Sequence, residues 1–240
     1  MDSDLSGLTL SDLYSRLAET GLPARLFALA RDEDLGPNGM DLTASLLGES
    51  SAVVSAAVRA REAGVAAGLA ALPDLLGAFD AELEMDVLVP DGDAFGAGDS
   101  LLAVRGVAFE CVRIERTLLN LLSRLCGVAT RTRAFVDAVA GRAELLDTRK
   151  TTPGLRVLEK YAVRCGGGVP HRLGLYDAVL VKDNHLAALR PEDRTGFFHS
   201  LRSRREACRF VEIEVDTHDQ LREVLRLDAG VVDFVLLDNM

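Results

Sequence analysis

The second half of the chain contains four short apolar stretches that each end in a charged residue. They span residues 143–147, 177–182, 210–216 and 232–238, and helical patterns alternate with them. Repeated alternation of strand and helix favours a parallel sheet, either open or closed into a barrel. In a parallel α/β barrel, catalytic side chains lie at the carboxyl ends of the strands. The pattern therefore predicts an active site at that edge of a parallel sheet.

The first half of the chain has a different arrangement. Helical spacing from Leu8 to Ala30, with Ser11 as its N-cap, precedes an acidic turn over residues 32–43. Strand patterns follow at 51–60, 82–89 and 100–104, with a helical pattern at 69–79; a longer helical pattern covers 109–140, and in the second half another runs from residue 153 until the glycines at 166–168 stop it. Short strands joined by turns favour a small antiparallel sheet. We predict an α+β domain here, followed by a long helix that could break near Gly127.

Charge is distributed unevenly along the chain. Fourteen basic and seven acidic side chains lie between Arg105 and Lys182, a local charge of +7 in a chain whose net charge is −10. The acidic total argues against nucleic acid as a partner. The local cationic region indicates a small anionic ligand, although arginine-rich surface helices would give the same count.

Lysine is rare in this sequence. Only Lys150, Lys160 and Lys182 are present, against twenty-four arginines. Arginine has taken most generic cationic positions, so a retained lysine indicates a need for a compact ammonium group. Lys150 and Lys182 lie beside predicted strand ends, whereas Lys160, within a helical pattern, could be an ordinary helix residue.

The cysteines and the apolar runs exclude several classes of protein. The four cysteines, at 111, 126, 165 and 208, form no CxxC pair and predict packed or incidental thiols in a reducing cytoplasm. Residues 1–4 are acidic and do not resemble a secretory signal. Alanine-rich runs such as 66–72 are too short to span a bilayer. We expect a cytoplasmic protein with no membrane partner.

Two loops carry candidate ligand-binding residues. The loop at 147–154 combines Arg149 and Lys150 with three threonine hydroxyls before a helix, a combination that suits phosphate or carboxylate. It could also be a plain polar loop with a threonine cap. The glycine-rich loop at 166–168 allows close backbone approach, and His171 and Arg172 after it could bind a carboxylate or lie on the surface.

The later strand ends add one cation and two carboxylates. Lys182 follows an apolar strand and would be partly desolvated beside a ligand. Asp183 and His185 are potential metal ligands, but two such residues do not make a site. Glu214 and Asp238 could hold magnesium, bind sugar hydroxyls or stabilise positive charge.

Taken together, these stretches resemble the quinolinate phosphoribosyltransferase family. The similarity is carried by residues 115–120, 126–130, 147–154, 160–168, 171–175, 182–185, 212–216 and 236–239, in the family's order. The resemblance implies an N-terminal α/β sandwich, placed at residues 1–114, and a C-terminal open α/β barrel, placed at residues 115–240. It also implies a homodimer with shared active sites, or a hexamer, that works in the cytoplasm.

The resemblance further implies a reaction and a role for each site residue. Quinolinate and phosphoribosyl pyrophosphate, with Mg²⁺, would give nicotinate mononucleotide, pyrophosphate and CO₂. The quinolinate carboxylates would be bound by Arg149, His171, Arg172 and Lys182, with Arg116 entering from the partner subunit. The phosphoribosyl group and its magnesium would face Lys150, Glu214 and Asp238, with Thr148 in the same loop; no residue is assigned as a direct metal ligand.

The sequence departs from the family at two places. Pro170 occupies a position before His171 that is often asparagine in the family. The family also continues beyond the position of Met240 with further strands and a serine–glycine-rich phosphate loop, so we expect an incomplete barrel with an exposed edge. Two alternatives follow: a homologue of the molybdenum-transport type with another substrate, or a truncated, non-catalytic remnant that binds anions.

Overall fold

The computed structural model describes residue 5 and residues 7–47, 52–204 and 207–240. The chain divides into two compact units, residues 5–171 and residues 172–240. Two parts of the sequence predictions lie outside the described residues. They are the acidic residues 1–4 and Ser51, the first residue of the strand predicted at 51–60. Within the described part, none of the helices combines the length and the apolar character that crossing a bilayer requires.

The first unit begins with two helices where one was predicted. Helix α1 (Leu10–Ala18) and helix α2 (Leu22–Leu35) are separated at Gly21, whose φ of +68° suits glycine. The N-cap of α1 is Thr9, not Ser11, because the Thr9 hydroxyl accepts the Asp12 N–H at 3.2 Å. The predicted acidic turn is also shorter, since α2 extends to Leu35 and α3 (Leu42–Leu47) follows.

An antiparallel sheet confirms the small β-structure predicted for the first half. Its strands are β1 (Val53–Arg59), β3 (Glu84–Val87) and β5 (Ser100–Val107), in the order β1-β5-β3. A two-stranded ribbon of β2 (Gly64–Val65) and β4 (Ala94–Phe95) lies apart from it. Helix α4 (Leu72–Phe79) follows a short 3₁₀ turn, and buried Leu75 and Phe79 anchor it in the core.

Helix α5 (Ala108–Val139) is continuous through Gly127, so the expected break is wrong. Its buried face consists of Ile114, Leu118, Leu121, Leu122, Leu125, Cys126, Ala129 and Thr132. The hydrogen-bonded helix tolerates one exposed glycine because this face holds it against α6 (Arg156–Cys165) and the ribbon. The predicted domain boundary between residues 114 and 115 falls inside α5 and stays a prediction.

The first of the four predicted strands is reduced to a single parallel bridge, Leu146 to Val169. The Val169 N–H donates to the Leu145 carbonyl at 2.8 Å, and the Asp147 N–H donates to the Val169 carbonyl at 3.1 Å. Pro170 follows at once and has no N–H to continue the ladder. The segment therefore places Asp147 beside the glycine-rich loop without forming a full strand.

The second unit confirms the parallel β–α pattern predicted for the other three stretches. Strands β6 (Val179–Val181), β7 (Val211–Val215) and β8 (Phe234–Leu237) form one parallel sheet in that order. Helices α7 (Asp183–Ala187), α8 (Pro191–Arg204) and α9 (His218–Val224) connect them. All five residues of β7 are buried, as expected for a central strand covered on both faces.

Candidate functional site

A buried ion pair lies in the first unit at the start of the cationic loop, residues 147–154. The Lys160 ammonium donates to Asp147 Oδ1, and the same oxygen accepts the His171 N–H at 2.8 Å. The side chains of Lys160 and Asp147 are 1% and 3% exposed. Burial raises the pKa of Asp147, and the charge and hydrogen bonds of Lys160 and His171 offset this only in part. Oδ2 of Asp147 is buried without a hydrogen-bond partner.

The loop itself presents the predicted residues in different environments. Thr148 and Lys150 are exposed, and the Thr148 hydroxyl accepts the Lys150 N–H at 3.0 Å, which forms a tight turn. Arg149 is half-buried, with its Nε buried and without a hydrogen-bond partner. A guanidinium held in this way has donors left for an anion.

The far end of the loop is fixed by Glu159. Its Oε2 accepts the Thr152 N–H at 3.1 Å, and its Oε1 accepts Arg124 Nη2 at 2.5 Å. Arg124 Nη2 also donates to the Thr152 hydroxyl at 3.0 Å. Burial alone would raise the pKa of Glu159, but the hydrogen bonds from Arg124 and Thr152 and the charge of Arg124 outweigh it and lower the pKa.

His171 and Arg116 complete the predicted residues of the first unit. His171 is half-buried and joins the loop through its N–H bond to Asp147. Arg116 is exposed on α5, and no described hydrogen bond or ion pair joins it to the loop at 148–150. The structure thus gathers Thr148, Arg149, Lys150 and His171 around Asp147 and leaves Arg116 apart within this unit.

In the second unit, Arg172 is a buried cation. It is 6% exposed, and its Nη1 donates to the Ala178 carbonyl at 3.4 Å. The turn after it is closed by Asp177, whose carboxylate accepts the N–H groups of Leu173 and Gly174, each at 2.8 Å. Arg209 Nη1 lies 3.3 Å from the same carboxylate. These contacts fix the backbone between Arg172 and strand β6.

Lys182 and Glu214 form an ion pair at the carboxyl end of the parallel sheet. Because Leu180 pairs with Glu212 and Val181 with Ile213, Lys182 follows directly beside Glu214. Lys182 Nζ lies 3.1 Å from Glu214 Oε2, with the two side chains 47% and 10% exposed. His185 Nδ1 accepts the Lys182 N–H at 2.9 Å and so holds the start of α7.

The remaining carboxylates of this edge are Asp238 and Glu212. Asp238 is exposed after β8, its N–H donates to the Val215 carbonyl at 2.9 Å, and Asn239 Nδ2 lies 3.1 Å from its Oδ2. Glu212 is buried on β7, two residues before Glu214 and therefore on the same face. Sequence reasoning assigns no role to Glu212, although the alternating Glu-Ile-Glu pattern places it on the same strand face as Glu214.

Residue type alone would also suggest a reactive thiol at Cys165 and a metal centre near Asp183 and His185. Burial and the charge of Asp91 raise the pKa of the Cys165 thiol, which agrees with its interpretation as a packed cysteine. In the part of the chain that the structure describes, no three His, Cys, Asp or Glu side chains are grouped as metal ligands would be. The Asp183 side chain lies outside that part.

A cavity of about 650 Å³, lined by none of the predicted site residues, lies between the ends of α2 and α4. Two arginines line it, and both bind the last carbonyls of α4. Arg31 Nη1 donates to the Ala78 oxygen at 3.2 Å, and Arg113 Nη2 donates to the Phe79 oxygen at 2.7 Å. Cations at a helix carboxyl terminus satisfy free carbonyls, which gives these arginines a structural role.

Comparison with known proteins identifies the family. The profile described as quinolinate phosphoribosyl transferase, N-terminal domain, matches residues 41–126, and that of the C-terminal domain matches residues 128–240. A probable nicotinate-nucleotide pyrophosphorylase [carboxylating] of Bacillus subtilis is 39% identical, across 84% of this chain and 68% of that protein. The nicotinate-nucleotide pyrophosphorylase [carboxylating] of Mycobacterium leprae is 43% identical, across 84% and 70%.

Solved structures agree. The crystal structure of NadC from Streptococcus pyogenes superposes with a TM-score of 0.78 at 35% identity, covering 90% of this chain and 74% of that one. These results confirm the predicted mixed α/β fold class and enzyme class, and they give no support to a molybdenum-transport homologue. The chain belongs to the quinolinate phosphoribosyl transferase family of pentosyltransferases.

Proposed function

We propose that the protein transfers the phosphoribosyl group of phosphoribosyl pyrophosphate to quinolinate and decarboxylates the product, a step of de novo NAD biosynthesis. The observation that carries this proposal is that both family profiles match in order, together covering residues 41–240 except 127. The products would be nicotinate mononucleotide, pyrophosphate and CO₂. Both substrates are polyanions, which gives the cationic stretch between Arg105 and Lys182 a target.

Four side chains would bind the two carboxylates of quinolinate: Arg149, His171, Arg172 and Lys182. Arginine offers a planar pair of donors that matches a carboxylate, and Arg149 has a buried donor without a partner. Lys182 is half-exposed, and the carboxylate that it contacts, Glu214, is nearly buried. A quinolinate carboxylate could therefore contact the exposed side of the same ammonium, which has three donors.

The phosphoribosyl side would be served by Thr148, Lys150, Glu214 and Asp238. As the pyrophosphate C–O bond breaks, positive charge develops on the ribose, and carboxylates at fixed positions stabilise such charge. Lys150 is exposed and would neutralise phosphate oxygens. The quinolinate nitrogen forms the new C–N bond. The carboxylate beside it then leaves as CO₂, its electron pair passes to the cationic ring, and the ring carbon takes a proton.

Magnesium would accompany phosphoribosyl pyrophosphate. Mg²⁺ is commonly bound by one or two carboxylates together with substrate phosphate oxygens and water. The donors at Glu214 and Asp238 fit that requirement, because both are carboxylates at the ends of neighbouring strands and Asp238 is exposed. The ion would neutralise charge on the departing pyrophosphate.

A homodimer with shared active sites is part of the proposal. Exposed apolar residues support it: Val53 is 56% exposed and Val112 is 64% exposed. Exposed apolar side chains such as these are available for contact with a partner subunit. Exposed Arg116 on α5 would then reach into the partner's site. The four free thiols, two of them buried, are in keeping with a cytoplasmic location.

The direct test is product formation. Protein incubated with quinolinate, phosphoribosyl pyrophosphate and MgCl₂ is expected to yield nicotinate mononucleotide, measured by chromatography, with one CO₂ released for each product molecule. Nicotinate in place of quinolinate serves as a control and should give far less product, because it lacks the second carboxylate. A folded protein that forms no product above the buffer blank would contradict the proposal.

A further inference from the structure

Adjacent residues of α6 carry buried charges that reach opposite ends of the cationic loop. Glu159 and Lys160 are 6% and 1% exposed, although they lie in a helix that follows an exposed polar loop. Consecutive helix residues point about 100° apart, so the two side chains diverge. Lys160 contacts Asp147, the first residue of the 147–154 loop, and Glu159 contacts Thr152, near the other end of this loop.

The contact at the first end also holds a second binding segment. Asp147 Oδ1 accepts both the Lys160 ammonium and the His171 N–H. One carboxylate therefore fixes the start of the 148–150 loop and the backbone of His171. A buried ion pair is poor evidence for stability, because an apolar pair of similar size is often equally stable. Its directional contacts do, however, fix geometry in a way that an apolar pair cannot.

The contact at the second end is a closed ring of hydrogen bonds. Glu159 accepts the Thr152 N–H and the Arg124 guanidinium, and Arg124 donates to the Thr152 hydroxyl. Thr152 is thus held through its backbone and its side chain at once. Between the two ends the Thr148–Lys150 turn contributes one further bond, so few conformations remain open to Arg149 and Lys150.

We propose that Glu159 and Lys160 are positioning residues for the transferase reaction. They contact no substrate and fix both ends of the loop, so that Arg149 and Lys150 hold one arrangement before substrate binds. The cost of ordering the loop is then met during folding and not on binding. This inference rests on the proposed function, because it concerns the loop to which substrate contacts are assigned.

Glu159→Gln tests the second end with little change of shape. Arg124 and the Thr152 N–H donate to different oxygens of Glu159, and glutamine replaces one of these oxygens with an NH₂ donor, so one of the two contacts is lost. We expect a folded variant whose amides at 151–152 exchange hydrogen at least tenfold faster, with kcat/KM for quinolinate reduced about 10- to 100-fold. Glu144→Gln is the matched control, since Glu144 is exposed three residues before Asp147 and should change neither quantity.

The first end needs a paired change. Lys160→Met alone would leave a buried carboxylate without its cation and is expected to unfold the protein. Asp147→Asn with Lys160→Met keeps the pair neutral and should retain a cooperative thermal transition. Its loop amides at 148–150 should exchange faster, and its kcat/KM for quinolinate should fall at least tenfold.

Two outcomes overturn the inference. Glu159→Gln with loop exchange and kcat/KM within twofold of the unmodified protein would show that the ring of bonds does not set the loop. Equal changes in Glu144→Gln would show a general charge effect. An unmodified protein that makes no product would contradict the proposed function alone, because hydrogen exchange of the loop needs no substrate and still decides whether Glu159 and Lys160 hold it.

Discussion

Arg172 is a guanidinium buried in the second unit, at the start of the turn that leads to strand β6. A buried cation is costly, and arginine is the basic residue best suited to such a place because it is weakly hydrated and bonds through a planar fork. Lysine would keep the charge at this position but lose the paired donors. A lysine substitution therefore tests the paired donors of Arg172 separately from its charge.

Arg172→Lys should weaken quinolinate binding about 10- to 100-fold, which corresponds to the loss of about 1.5–3 kcal/mol for a hydrogen bond to a charged group. Phosphoribosyl pyrophosphate should bind within about threefold of its original affinity, because Arg172 is assigned to carboxylates. Titration calorimetry with each substrate measures both. Arg222→Lys, in an exposed pair with Asp219, is the control; equal losses for the two substrates would refute the assignment.

At this scale the sequence singles out residues by their type and by their place beside strand ends, but it does not show which side chains will pair in the interior. Lys150 and Lys182 were selected by the rarity of lysine and their place beside strand ends. Lys160 was assigned no role, because its burial depends on Asp147, thirteen residues earlier. Glu159 is similar, since Arg124 is thirty-five residues away. Local patterns show which residue types are present but not which distant side chain will be opposite them.

At the scale of an element, two glycines in contact with solvent or with helix α5 differ in how much space surrounds them. Gly127 lies on the exposed side of α5, and a Cβ added there would meet no atom within 4 Å. Gly166, which ends α6, packs against α5 so closely that a Cβ would lie 2.4 Å from the Ala129 oxygen and 2.6 Å from Thr132 Cβ. The first glycine is a weak point of a helix, and the second is required by helix packing.

Gly127→Ala should raise the free energy of unfolding by about 0.5–1 kcal/mol, because alanine is the better helix former. Gly166→Ala should lower it by about 1–3 kcal/mol through overpacking. Urea unfolding followed by circular dichroism measures both, and each variant serves as the control for the other. Destabilisation by Gly127→Ala would show that the helix is not continuous there in solution.

The parallel strands of the second unit were predictable because each is an apolar run bounded by charge. The run at 143–147 has the same appearance, yet it forms one bridge, since its partner segment ends in Pro170. The split between α1 and α2 was missed because Pro23 lies in the first turn of α2, where proline is favoured, and apolar spacing continues across Gly21. The spacing of apolar residues shows which face of a helix is buried, but it does not show where one helix ends and the next begins.

At the scale of the whole molecule, the predicted fold class is confirmed, and the boundary between domains stays a prediction. Such a boundary depends on packing between distant segments, which composition and spacing do not contain. The proposed homodimer is also a property of the whole molecule. It can be tested without knowledge of the interface, because Arg116 of one subunit and Lys182 of the other are expected to serve the same active site.

Arg116→Ala and Lys182→Ala are each expected to lower activity at least 100-fold. Mixed after subunit exchange, they should recover up to about a quarter of the original activity, because about half of the dimers would be hybrids and each hybrid would contain one site with both residues intact. Product formation by the mixture, compared with each variant alone, measures this. With exchange verified by differently tagged subunits, an absence of recovery would count against shared sites.

The three lysines also determine how the protein will respond to chemistry aimed at amines. Apart from the terminal amino group, the primary amines of the chain are exposed Lys150, half-exposed Lys182 and fully buried Lys160. Reagents that label, crosslink or immobilise through lysine will therefore attach mainly at Lys150 and Lys182, the two lysines that the proposed function places beside the substrates. Under the proposed function, bound substrate would protect these two lysines from amine coupling, so the extent of coupling would report on site occupancy, and fluorescent labels or sensor surfaces are better attached elsewhere.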